Sequence, residues 1–261
     1  MTITPADLRA LADARVLLER PSLAARLSDF VGSPLEKGMA RLPAGWRARI
    51  ATVTHDALRR AMDAAAKTLD ETPRAASPHL HKALGTLSGG VGGAFGLAGL
   101  TVEVPLSTVL IMRAILDIAL AEGELPADPA TRLAALEVFA LGGRADADDA
   151  AESGYYAMRA ALAGAVTEAT RHLAQKGLAQ EGAPALLRLI SMVAARYKIQ
   201  LTQKAAGMLV PGIGAAAGAS INLMFMNHFQ DVSRGHFTIR RLERRYGAAA
   251  VRDAYADAAM R

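Results

Sequence analysis

Two long uncharged, glycine-rich runs constrain this chain more than any other feature. No charged residue occurs between Ala83 and Thr101, and between Ala205 and Gln230 the only side chain that could carry one is His228. Each run reaches the roughly 20 residues that a helix needs to cross a bilayer. Both runs therefore fit either a membrane-spanning helix or the buried centre of a helical protein.

Glycines recur four residues apart in these runs, at Gly85, Gly89 and Gly93, at Gly92 and Gly96, and at Gly214 and Gly218. Small residues at this spacing share one helix face and let a second backbone approach closely. The composition is 52% hydrophobic but only 5% aromatic, so alanine and leucine, both strong helix formers, dominate. We predict an all-α fold, a single multi-helix domain with two close-crossing glycine-rich apolar helices.

Charges and helix breakers argue against a stable transmembrane helix. Glu103, Arg113 and Asp117 interrupt the continuation of the first run, and Pro211-Gly212 interrupts the second. Each charge is costly at membrane depth. We favour a buried hairpin over a transmembrane helix, and membrane insertion under particular conditions is a third reading.

The charges after the first run have two readings. Arg113 and Asp117 are four residues apart, which predicts an ordinary ion pair on a partly exposed helix face. Glu103 could instead belong to a buried cluster with Arg113 or another cation, lining a polar spot in an apolar cavity. Nothing cationic lies near Glu103 in the sequence, so both readings of Glu103 stay open.

Polar residues also follow the second run. Asn222, His228 and His236 lie there, and the two histidines share a helix face. They are eight residues apart, about 12 Å along a helix axis, which is too far for one metal ion. We therefore expect polar groups at a helix crossing, and neither a metal nor a cofactor.

The densest basic segment contains Arg240, Arg241, Arg244 and Arg245. Such a segment is usually a solvated helix face, but a basic helix after an apolar segment also suits contact with anionic lipid headgroups. No nucleic-acid-binding motif or aromatic platform accompanies it. We expect no nucleic-acid partner.

Enzyme signatures are absent from the sequence. There is no cysteine, and no metalloprotease, nucleophile-elbow, phosphate-loop or dinucleotide motif occurs. We assign no catalytic residue. The alternative is a hydrolase for an apolar or lipid-like substrate, with Glu103 and either His228 or His236 as acid and base. The first residues lack a signal peptide's basic start and apolar segment, which predicts a cytoplasmic location, with peripheral contact at the inner face of the cell membrane as an option.

Several segments together resemble the EcsC protein family from about Ser33 to Tyr255. They are LPAGWRARI, TLSGGVGGAFGLAGLTVEVP, TVLIMRAILDIALAEGE, LEVFALGG, SGYYAMRAAL and KAAGMLVPGIGAAAGASINLMFMNHFQDVSRGHFTIRRLERRYG. Many members have aspartate where this chain has Glu103. The resemblance implies a helical protein working at the cytoplasmic face of a membrane. It also divides the chain into an N-terminal helical extension, 1–32, and an EcsC-like helical domain, 33–261.

We predict a non-catalytic, membrane-associated or lipid-binding accessory protein of the bacterial envelope. Its partners would be phospholipid or fatty acid, the membrane surface, or an integral membrane protein such as a transporter that it serves as a scaffold. The expected ligand-binding residues are Gly89, Gly93, Gly96, Glu103, Arg113, Gly214, Gly218, Asn222 and His236. The expected headgroup contacts are Arg240, Arg241, Arg244 and Arg245.

Overall fold

The structure is a computed structural model, which describes residues 2–19, 23, 26–27, 40–43, 45–67, 96–141, 154–176, 184–208 and 215–258. These residues form helices and no strand, so the all-α prediction is confirmed. The helices are α1 Pro5–Leu18, α2 Trp46–Lys67, α3 Gly96–Ala121, α4 Pro129–Glu137, α5 Gly154–Lys176, α6 Pro184–Met208, α7 Ala215–Tyr246 and α8 Ala248–Asp257.

Two helices begin with a side-chain cap followed by proline. The Thr4 hydroxyl accepts a hydrogen bond from the Asp7 backbone N–H before α1, and Asp128 accepts one from Ala130 before α4. Proline at the first helical position loses no hydrogen bond, because that N–H has no partner within the helix. The capping side chain and the proline that follows it therefore determine where α1 and α4 begin.

Helix α3 forms the centre of the fold. It packs against α2 most extensively and also against α4, α6 and α7. Ile111, Ile115, Leu116 and Ala119 are all at most 2% exposed. Within the described ranges, Gly99–Ala121 is the one stretch long and apolar enough to cross a membrane, with a mean hydropathy of 1.8. Because 67% of its apolar window is buried inside the protein, a core role accounts for this hydropathy.

The partly exposed helix face predicted for the ion pair of Arg113 and Asp117 is wrong, because Asp117 is only 1% exposed. The prediction assumed a partly exposed helix face at Asp117. Since other helices surround α3, that position points into the core instead.

Most of the predicted glycine crossing lies outside the described residues, because Gly89, Gly93 and Gly214 are not among them. Gly96 and Gly218 lie in the first turns of α3 and α7. A close glycine contact is present elsewhere, between α1 and α7. A Cβ added to Gly235 would lie 2.6 Å from Leu18 Cγ and 2.9 Å from the Ala14 carbonyl oxygen. The absence of a side chain at Gly235 therefore allows α1 to pack on α7.

Candidate functional site

Three helices bring one charged pair and an amide together in the core. Lys204 of α6 donates to both carboxylate oxygens of Glu103 of α3 at 2.8 Å. Asn222 of α7 donates from Nδ2 to Glu103 Oε1 at 2.9 Å. The side chains of Lys204 and Glu103 are 1% and 3% exposed. The polar spot that the sequence left open therefore exists, and its cation is Lys204 rather than Arg113.

The surroundings of this core cluster are apolar and aromatic. Lys204 Nζ lies 5.1 Å from the centre of the Phe225 ring, whose face attracts cations. The Tyr197 and Thr108 hydroxyl oxygens are 3.2 Å apart in a hydrogen bond. Burial raises the pKa of Tyr197, the bond to Thr108 lowers it, and the Glu103 charge raises it further. The phenol therefore stays neutral beside the ion pair.

Sequence reasoning missed Lys204, although one signal was available. Glu103 ends the first uncharged run and Lys204 immediately precedes the second. Opposite charges at the boundaries of two buried segments are candidates for pairing, because an isolated charge in the core would be very costly. The spacing of 101 residues hides this pair from any local pattern.

A shallow apolar cleft, open to solvent, lies next to the core cluster, between α2, α3 and α6. Its walls are Trp46, Arg49, Ile50, Val53, Leu100, Thr101, Val104 and Leu201. Leu100 and Val104 bracket Glu103 on α3, and Leu201 precedes Lys204 by three residues on α6. The cleft and the ion pair therefore occupy adjacent turns of the same two helices.

The family comparison covers this whole site. The model of the EcsC protein family matches residues 26–242, a range that includes the core cluster and all the described residues that line the cleft. This chain belongs to the EcsC protein family. Comparisons with curated proteins and with solved structures find no match.

A second polar cluster lies farther along α7 of this EcsC family member. Tyr155 Oη and His236 Nδ1 are 3.0 Å apart, and Arg159 donates to Tyr155 Oη at 3.3 Å. Arg159 also makes two hydrogen bonds to the Glu243 carboxylate, at 2.7 and 3.0 Å. Because Arg159 can only donate, we infer that the Tyr155 hydroxyl proton points to His236 Nδ1.

Burial determines the protonation of this second cluster. Burial lowers the pKa of His236 well below its ordinary value, and the charges of Arg159 and Arg240 lower it further. The nearby carboxyl of Glu137 on α4 behaves oppositely, because burial raises its pKa to about 7 while Arg159 and Arg240 oppose the rise. His236 is therefore neutral, and Glu137 titrates near neutral pH.

The acid–base pair of the hydrolase alternative is not assembled. Glu103 accepts a hydrogen bond from Asn222, whereas His236 is hydrogen-bonded to Tyr155. His236 lies fourteen residues after Asn222 on α7, about 21 Å along a helix axis. Within the described part of the chain, His228 Nε2 has no hydrogen-bond partner, and burial followed by the Arg26 charge lowers the pKa of His228 to about 3. Among the described residues, no group of three acidic or histidine side chains could hold a metal.

The predicted ligand-binding residues thus divide between several places. Glu103 and Asn222 meet in the core cluster, His236 lies in the second cluster, and Arg113 joins neither in the described structure. Whether any of these residues binds a ligand stays a prediction.

The basic segment at the end of α7 forms internal ion pairs. Arg240 and Arg244 bind Glu124, and Arg241 binds Glu122, in the connection after α3. Asp7 at the start of α1 accepts from Tyr246 at 2.6 Å, Arg245 at 3.2 Å and Arg241 at 3.5 Å. The hydrogen bonds from Tyr246 and Thr4 lower the pKa of Asp7, burial opposes them, and the charge of Arg245 and the bond from Arg241 lower it further. The arginines therefore join α1 and the α3–α4 connection to α7, and headgroup contact stays a prediction.

Proposed function

We propose that this EcsC family member is a non-catalytic accessory protein that binds an apolar ligand and associates with a membrane surface. The apolar cleft between α2, α3 and α6 is the observation that carries the proposal. Of the described residues that line it, seven have hydrocarbon, aromatic or threonine side chains, and only Arg49 carries a charge. Ligand sites of this kind are concave and mostly apolar, with a few polar groups for orientation.

The core cluster supports binding rather than catalysis. Both Glu103 oxygens accept hydrogen bonds from Lys204, and one also accepts from Asn222. A general base needs a free carboxylate within reach of a substrate proton. Glu103 is committed to its partners, so its role is to hold α3, α6 and α7 in register beside the cleft.

Exposed hydrocarbon on α3 supports contact with a membrane surface. Val102 and Leu106, one helical turn apart, are 74% and 51% exposed. Trp46 lies on the cleft wall with Arg49 over its ring, 5.4 Å from guanidinium to ring centre. Tryptophan favours membrane–water interfaces because its ring is amphipathic. We propose peripheral association of this surface with the inner face of the cell membrane.

Native mass spectrometry with lipid extraction tests the ligand, on protein purified from cells without detergent. We expect a co-purified fatty acid or phospholipid. Val53→Phe, which fills the cleft, should remove it. The matched control Val16→Phe makes the same change at a position on α1 that is 59% exposed and should retain it. An apo mass from fresh protein would contradict the proposal.

A further inference from the structure

We infer that Arg241, Arg245 and Tyr246 at the end of α7 form a binding site for the phosphate of an anionic lipid headgroup, and that the Asp7 carboxylate occupies this site until a membrane displaces it. The inference rests on the proposed membrane association and specifies its headgroup contact. It makes Asp7 a built-in competitor of the lipid phosphate.

The hydrogen bonds of Asp7 define the site. Tyr246 donates to Asp7 Oδ2 at 2.6 Å, and Arg245 donates to the same oxygen at 3.2 Å. Arg241 donates to Asp7 Oδ1 at 3.5 Å. Three donors from α7 thus converge on one anion that another helix supplies. A phosphate group can take the place of the carboxylate, because its oxygens accept the same charge-assisted hydrogen bonds from guanidinium groups.

The cationic side chains of this surface lie above the anionic ones. Arg245 and Arg241 are 55% and 36% exposed, whereas Asp7 is 11% exposed. The neighbouring Arg244 is 44% exposed and its partner Glu124 only 5%. An approaching headgroup therefore reaches the guanidinium groups before it meets a carboxylate.

Contacts other than those to Asp7 hold the arginines in position. Arg241 Nε donates to Glu122 Oε2 at 2.7 Å, and Arg244 Nη2 donates to the Glu122 backbone carbonyl at 2.8 Å. The Arg245 guanidinium lies 5.3 Å from the centre of the Tyr246 ring. These contacts remain when Asp7 gives way to a phosphate, so binding orders few side chains and loses little conformational entropy.

Exchange of Asp7 for a phosphate requires one side chain to move. Leu11, Ala14 and Leu18 of α1 are at most 2% exposed, so their packing keeps α1 in place. Asp7 precedes them in the first turn of α1, and its carboxylate can leave the site by rotation of the side chain. The lipid therefore competes with one carboxylate and does not have to detach the helix.

Flotation of the full-length protein with phosphatidylcholine vesicles that contain phosphatidylglycerol tests the inference. Asp7→Asn removes the competing charge and should strengthen binding about five-fold, the effect of one additional basic charge at an anionic surface. Asp13→Asn removes an exposed carboxylate from the same helix and should change binding less than about two-fold, because salt screens charges that do not touch the headgroup. Calorimetry with inorganic phosphate, without vesicles, separates a lipid site from a site for free phosphate.

Two double variants locate the gain. In the Asp7→Asn protein, Arg245→Gln should abolish the gain, because it removes a donor of the site. Arg252→Gln removes an exposed arginine of α8 and should retain the gain. Amide hydrogen exchange verifies that α1 stays packed. Since both double variants share the Asp7→Asn background, their difference tests the site even if Asp7→Asn loosens α1.

The outcomes separate the inference from the proposed function. Equal strengthening by Asp7→Asn and Asp13→Asn, or equal loss with Arg245→Gln and Arg252→Gln, would show general charge attraction and overturn the inference. Flotation of the wild type that Asp7→Asn does not strengthen would also overturn it, while membrane association stands.

Binding of inorganic phosphate by Asp7→Asn without flotation would identify a site for free phosphate and overturn the lipid assignment. Failure of the wild type and of every variant to float or to bind phosphate would overturn the inference together with the proposed membrane association.

Discussion

At the scale of single residues, the core cluster is the feature most sensitive to change. Lys204 and Glu103 are nearly inaccessible to water, so neither charge can be solvated if its partner is removed. A buried ion pair adds little net stability compared with a hydrophobic pair, but breaking it leaves an uncompensated charge. Replacing either Glu103 or Lys204 alone should therefore destabilise the protein more than replacing both.

Lys204→Met should destabilise the protein by about 3–5 kcal/mol, because it leaves the buried Glu103 side chain without its cationic partner. Urea denaturation measures the free energy of unfolding. The double variant Glu103→Leu/Lys204→Met should recover most of the loss. As a control, Lys198→Met on the same helix changes a half-buried lysine and should alter stability by less than about 0.5 kcal/mol. Equal effects at positions 198 and 204 would contradict this account.

Glu137 should make stability fall as pH rises. Its pKa is about 7 in the folded protein against 4.5 ordinarily, so the folded state binds the proton more tightly. The stabilising effect is complete below about pH 4.5 and is lost as pH rises to about 7, a difference on the order of 3 kcal/mol. Glu137→Gln should therefore be more stable than the wild type at pH 8, with a flatter pH profile.

Urea midpoints of wild type and Glu137→Gln, measured from pH 5 to pH 8, test this expectation. Buried His228 and His236 produce the opposite slope, because their lowered pKa values favour the unfolded state as pH falls. Their effect cancels in the difference between the two proteins. Glu168→Gln, at a carboxylate that is 51% exposed, should leave the profile unchanged. Parallel profiles for wild type and Glu137→Gln would refute the role of Glu137.

At the scale of elements, helix α1 is attached to the rest of the fold along its length. Asp7 binds Arg245 and Tyr246 near its start, and Glu19 accepts a hydrogen bond from Tyr255 just beyond its end. Gly235 permits the close backbone approach between these anchors. Helix α1 lies before the family-matched range, yet its packing depends on a glycine within that range.

Gly235→Ala should loosen α1. The added Cβ would lie 2.9 Å from the Ala14 carbonyl oxygen, which is backbone and cannot rotate away. Overpacking of this kind costs about 1–3 kcal/mol, and amide hydrogen exchange should accelerate in α1. Gly164→Ala is the matched control, since a Cβ there meets nothing within 4 Å. That change should stabilise by up to about 1 kcal/mol through helix propensity, so stabilisation by Gly235→Ala would refute the clash.

At the scale of the whole molecule, an excess of basic charge and exposed hydrocarbon support the proposed contact with an anionic membrane surface. The chain carries a net charge of +5, and four arginines at the end of α7 are paired with only three carboxylates, Asp7, Glu122 and Glu124. Val102 and Leu106 add exposed hydrocarbon on α3. Electrostatic attraction and shallow insertion together support reversible binding.

Flotation with vesicles containing anionic phospholipid tests this association. We expect the wild type to float with these vesicles, more weakly as salt is raised, because salt screens charge. Val102→Ser/Leu106→Ser should reduce flotation severalfold. The control Leu8→Ser/Val16→Ser alters side chains on α1 that are 42% and 59% exposed and should have no effect. Failure of the wild type to float would contradict membrane association.

The sequence by itself determined the local structure of this protein. Alanine and leucine at helical spacing fix the all-α class, and Thr4-Pro5 and Asp128-Pro129 fix the starts of α1 and α4, because propensity and capping act within one or two turns. Where the structure describes the uncharged runs, Leu100, Ala205 and Ile221 are buried in the core. The resemblance to the EcsC family came from segments that stand along the chain in the family's order, and the family model matches residues 26–242.

Only the tertiary structure decided which distant groups meet. Lys204 reaches Glu103 across 101 residues, Asp117 points into the core, and the basic segment of α7 pairs with Asp7, Glu122 and Glu124. The cleft likewise exists only where α2, α3 and α6 come together. Helix periodicity identifies a helix's apolar face but not the register or angle at which another helix packs on it. Long-range pairs and clefts depend on that packing and have no local signature.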